Sequence, residues 1–172
     1  MEIFIVGVIL VALMVFVSTK IKKSAALAFE RETVETEDFV IIKPEGFINP
    51  IKDDSAFAFE AYTKELGKND AGEFRQAWAN LRIISDSDFQ TICEAAKASA
   101  DRILSENESE NPKSYRFESE RRKKGVSVIS FWKIVENIRN RKIYELRISV
   151  LEAYREEYKA GTSEMLDSFV VK

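Results

Sequence analysis

The chain has no histidine among its 172 residues and a single cysteine, Cys93. Without histidine there is no Ser-His-Asp or Cys-His nucleophile system, no imidazole base titrating near neutral pH, and no His-containing zinc site. One cysteine cannot make an internal disulfide or a four-cysteine metal site. Glu94 beside Cys93 disfavours a thiolate, so Cys93 reads as a small buried hydrophobe on the apolar stripe of a helix. Glycine is also scarce, at six, and neither G-x-G-x-x-G nor the P-loop spacing occurs.

The remaining chemistry is thin. Asp53, Asp54, Asp86 and Asp88 are the densest carboxylates, but each pair precedes a helical pattern, where helix-end stabilisation accounts for it. Ser130-Phe131-Trp132-Lys133 has the Ser-x-x-Lys form of some acyl-transferring enzymes. Its Lys-Thr-Gly companion is missing, and Ser105-Glu106-Asn107 comes in the wrong order. No catalytic residue is assigned, no metal or cofactor is expected, and the chain is expected not to be an enzyme.

What is present is uneven. From Ile3 to Val17 every residue is apolar except Gly7. Extended to Ile21, the run reaches about 28 Å at 1.5 Å per residue, close to the thickness of a bilayer core. Only Met1 and Glu2 precede it, whereas Lys20, Lys22 and Lys23 flank its far end, so an uncleaved anchor fits better than a signal peptide. The expectation is a single-pass membrane protein whose bilayer contact is residues 3–21. The lysines put the N-terminus outside and the C-terminal domain in the cytoplasm.

Beyond the anchor and basic flank (residues 1–23), the pattern reads as mainly α, a small helical cytoplasmic domain. Helical spacing runs over 24–36, 55–66, 73–84 and 87–104, the last opened by a Ser87/Gln90 capping box. A longer helical stretch spans 127–159, with a phase change across Asn137–Lys142 and two apolar faces in its later part. A minor two-stranded β element is allowed, because Phe39–Ile42 and Phe169–Lys172 are both short β candidates that could pair. Lys43-Pro44-Glu45-Gly46 fits a type I turn. Pro44, Gly46, Phe47 and Ile48 form a candidate partner-docking loop, against the alternative that these apolar residues pack on the core. Ser105–Pro112 reads as a polar loop.

Charge divides the chain. Residues 24–112 carry 9 basic against 19 acidic side chains, and residues 113–160 carry 13 against 7. The acidic helical region 24–112 is therefore followed by a basic helical region 113–172, the two forming one domain. Lys113, Arg116, Arg121, Arg122, Lys123 and Lys124 form a basic cluster suited to a lipid surface or a partner. Net acidity, at a formal charge of -3, argues against nucleic acid.

The functional expectation is a non-enzymatic, single-pass, membrane-anchored accessory or scaffold protein. It acts through protein–protein contacts with a membrane or peripheral partner, and homo-oligomers are compatible with it. The alternative is a module that binds anionic lipid through residues 113–124.

Overall fold

Val126–Asn137 reads VSVISFWKIVEN and Lys142–Leu151 reads KIYELRISVL. Both are rich in Val, Ile and aromatic residues, which fit a pleated sheet. In the computed structural model they are strands. The structure describes residues 10–20, 27–50, 56–63, 65–69, 72–123 and 125–172. In chain order the strands are β1 (Glu32–Glu35), β2 (Phe39–Lys43), β3 (Phe59–Tyr62), β4 (Glu65–Asn69), β5 (Gly72–Arg75), β6 (Ala77–Ser85), β7 (Arg102–Glu110), β8 (Lys113–Lys123), β9 (Val126–Asn137), β10 (Lys142–Leu151) and β11 (Val170–Val171). Helix α1 is described over residues 10–20, α2 is Phe89–Ala98 and α3 is Arg155–Ser168.

The mainly helical expectation is therefore overturned: the chain is mostly β. Its centre is a six-stranded antiparallel sheet in the order β3-β6-β10-β9-β8-β7. A three-stranded sheet, β1-β2-β11, and a two-stranded hairpin, β4-β5, complete it. The supposed loop 105–112 supplies the last six residues of β7, 105–110. The supposed helix 127–159 is the β9–β10 hairpin followed by the start of α3, and its phase change is the turn between the strands.

The two apolar faces of β10 have a simple cause. It is central and covered on both sides, so it lacks the polar alternation of a half-exposed strand. On one side Tyr144, Leu146, Ile148 and Val150 join Leu81, Phe39, Phe47, Met165 and Phe169 in the larger core. That core lies between the six-stranded sheet and a layer made of α3 and the small sheet. On the other side Ile143 joins Ile134, Trp132, Phe117, Tyr115 and three α2 residues, Phe89, Cys93 and Ala96. The tail does pair with the 39–42 strand, through Val170↔Val40 and Val171↔Phe39.

Other sequence expectations are corrected in detail. Among the described residues no helix is long and apolar enough to cross a membrane. That finding overturns the expected single-pass topology and the membrane localisation with its outside N-terminus, and it leaves the bilayer as a partner without support. Residues 3–9 and Ile21 of the expected span lie outside the described residues. Helix α2 is capped by Asp88, whose Oδ2 accepts from the Thr91 amide at 2.8 Å, and not by a Ser87/Gln90 box. Segments 55–66 and 73–84 contribute strands β3 to β6.

Candidate functional site

The order of the strands leaves β7 at one edge of the main sheet, hydrogen-bonded to β8 alone among the described strands. Helix α3 crosses the sheet over β9 and β10. The result is an open trough of about 480 Å³. Its floor comes from Ser105 and Asn107 on β7, Arg116 and Glu118 on β8, and Phe131 on β9. Its wall is α3, through Arg155, Lys159, Thr162, Ser163 and Leu166.

Ion pairs brace the trough. Arg155 Nη2 lies 2.5 Å from Glu118 Oε1, and Arg116 Nη1 lies 2.8 Å from Asp167 Oδ1. Lys133, on the same face of β9, donates to the carbonyls of Leu166 and Phe169, both at 2.8 Å. A cation there offsets the negative end of the helix dipole and satisfies carbonyls the helix leaves open. Burial, with Arg116 nearby, holds the Lys133 ammonium below its ordinary pKa. Arg116, Arg155 and Lys159 are answered by Asp167, Glu118 and Glu156, so the lining is close to neutral. Such a surface suits mixed-charge polar contacts and gives an anionic polymer or membrane no net attraction.

Across the edge strand, β7 is tied to α2. Lys97 Nζ reaches Glu106 at 2.9 Å, and the Tyr115 hydroxyl donates to the same carboxylate. The Glu106 partner raises the Lys97 pKa, and Lys97 in turn lowers that of Glu106.

The basic cluster read from the sequence does not form one patch. Strand geometry sends alternate residues to opposite faces. Lys113 opens β8 and pairs with Glu136 at 3.0 Å. Arg116 enters the trough. Arg121 is exposed on the α2 side of the sheet. Arg122 Nε pairs with Glu120 at 3.3 Å, while its amide donates to Asp101. Lys123 ends β8, and Lys124 lies outside the described residues.

The candidate docking loop is also reassigned in part. Phe47 is only 1% exposed and packs edge-on against Tyr158 at 5.9 Å, so it is a core residue and is not presented to a partner. Ile48 pairs with Tyr62 in an isolated bridge. The turn falls one residue later than the sequence suggests. The Phe47 amide donates to the Pro44 carbonyl at 3.4 Å, and Gly46 has φ +88°, as the third position of a type II turn requires. Pro44 lies under α3, where a Cβ added at Gly161 would sit 3.3 Å from the Pro44 Cβ.

Arg155, Lys159, Thr162, Ser163 and Leu166 were not picked out from the sequence. Their spacing, i, i+4, i+7, i+8 and i+11, marks one face of a helix. It was hidden because the preceding strand was read as part of the same helix.

No family model matches the chain, and no curated protein matches it in sequence. Solved structures do resemble it. The Ran-binding protein Mog1p of Saccharomyces cerevisiae is 12% identical with a TM-score of 0.59, covering 83% of this chain and 96% of that one. LpqN of Mycobacterium tuberculosis, described as involved in cell envelope biogenesis, is 8% identical with a TM-score of 0.56, covering 83% of this chain and 91% of that one. The likeness shows the fold, a Mog1-like arrangement of antiparallel sheets and helices.

Proposed function

We propose that the chain is a non-catalytic module that holds a protein partner in the trough between α3 and the edge strand β7. The observation that carries this reading is the pairing of the two features. An open edge supplies main-chain donors and acceptors for an added strand. The trough beside it receives side chains. The balanced lining supports a protein partner over an anionic surface. A fold neighbour, Mog1p, is described as Ran-binding, which is consistent with a binding role on this scaffold.

The non-catalytic part rests on residue chemistry. There is no histidine, and the single thiol is buried, its pKa pushed up to about 11 mainly by that burial. Among the described residues no three His, Cys, Asp or Glu side chains converge as a metal site.

Two substitutions test the proposal. Lys159→Glu reverses a charge on the wall, and Ser163→Trp fills the trough from an exposed position. Both should leave the circular dichroism spectrum unchanged and abolish recovery of a partner that crosslinks to the unmodified chain in its own cells. Undiminished recovery with both variants contradicts it.

A further inference from the structure

The opposite face of the main sheet carries a second feature. Helix α2 covers only one half of that face. On the other half, the register places Arg82 (β6), Arg147 (β10) and Arg121 (β8) on the same side as Trp132. Glu145, buried at 3% exposure, is already engaged. Arg82 donates to its Oε1 from Nε at 3.2 Å and from Nη2 at 2.6 Å. Arg147 lies over the Trp132 ring, 5.2 Å from its centroid. Its Nε is buried and has no hydrogen-bond partner among the described residues. The next carboxylate on this face, Glu60 on β3, has an interaction of its own.

A guanidinium cannot shed its proton, so an unmet buried donor stays costly until an acceptor arrives. The surroundings add to this. Burial lowers the pKa of Arg147 most; Glu145 opposes the shift, and Arg82 and Arg121 add to it. Arg121 is exposed and has no side-chain hydrogen bond or ion pair among the described residues. Three guanidiniums thus share a face with two carboxylates, Glu145 and Glu60, each already engaged.

We infer that this half of the sheet is a recognition face for a carboxylate-rich, extended segment of a partner protein. The Arg82–Glu145 contact shows how the face already holds a carboxylate, and planar guanidiniums match that group in paired hydrogen bonds. The arginines are spread over strands β6, β10 and β8 of the main sheet, which favours an extended chain over a small ion. It lies across the sheet from the trough and does not depend on it.

The probe is a hexaglutamate peptide titrated into the full chain at low salt and followed by nuclear magnetic resonance. The Trp132 indole and the Ser149 amide should shift and saturate. Arg121→Glu, at an exposed position without a partner, should weaken binding about tenfold, as should Arg147→Lys, which keeps the charge but loses the paired donors. Arg139→Glu at the exposed tip of the β9–β10 hairpin should change it less than about twofold. Absence of binding, equal loss with Arg139→Glu and Arg121→Glu, or inorganic phosphate saturating the same signals as tightly as the peptide each overturns the inference.

Discussion

Phe117 and Trp132 stack face to face across β8 and β9, with ring centroids 5.3 Å apart and planes 6° from parallel. They are directly opposed in register. The Trp132 indole N–H also donates to Ser119 Oγ at 3.1 Å. This pair anchors the smaller core beneath α2. Trp132→Ala should cost about 3–5 kcal/mol, the usual range for removing a large buried aromatic. Trp132→Phe keeps a ring in the stack and should cost less, about 1–2 kcal/mol, for the lost hydrogen bond to Ser119 and the lost volume. Urea unfolding of both variants measures the difference.

The C-terminus closes the larger core. Phe169 is 1% exposed and meets Phe39 edge-on at 6.2 Å. Its carbonyl is also one of the two acceptors for Lys133. A chain ending at Ser168 should therefore lose about 3–5 kcal/mol from the aromatic alone. Removing only Val171 and Lys172 should cost much less. Thermal unfolding of the two truncations checks the order.

Asp38 joins the small sheet to the main one. Its carboxylate accepts from Lys142 Nζ at 2.9 Å and from the Tyr144 hydroxyl at 3.1 Å. The hydrogen bond from Lys142 is the largest cause holding its pKa below the ordinary value, and Tyr144 adds to this. The folded state therefore binds the Asp38 proton less readily than the unfolded chain. The stabilisation is fully present above the unfolded pKa, near 4, and is lost as pH falls through the lower folded value. Asp38→Asn should lower stability by about 1 kcal/mol at neutral pH, a small figure because the pair is partly solvated. The gap between the variant and the parent should shrink in acid, as unfolding curves across that range will show.

Cys93 should be inert in the folded protein. Burial first, then Glu108, raises its pKa to about 11, so little thiolate exists at neutral pH. Reaction with a thiol reagent should be slow in buffer and become fast across the same denaturant range that unfolds the sheet. A rapid native reaction would show α2 opening independently of the rest.

Part of the fold was legible in the sequence. Phe39–Ile42 and Phe169–Lys172 read as strands because they are short, branched and bounded by turn residues or the chain end. The helical pattern over 87–104 contains α2, Phe89–Ala98, but its last three residues, Arg102–Leu104, open β7. The central strands were misread for a physical reason. Val128, Phe131, Trp132 and Val135 satisfy helical spacing, but Ile129 and Ile134, left off that stripe, are buried as well. A strand covered on both faces buries consecutive residues and shows no clean alternation. The β-branched and aromatic content was the signal that should have decided it. The trough was harder to see, because it joins residues from β7, β8, β9 and α3 that only the sheet order brings together.

The central claim is that a protein partner seats in the trough beside β7. Site-specific photo-crosslinking tests it most directly, with the reactive residue placed at Ser163 on the trough wall or at Ala95 on the outer face of α2, both exposed. A discrete protein adduct from Ser163 and none from Ala95 is the predicted result. Adducts from Ala95 alone, or from neither position in cells where the chain is active, contradict the account.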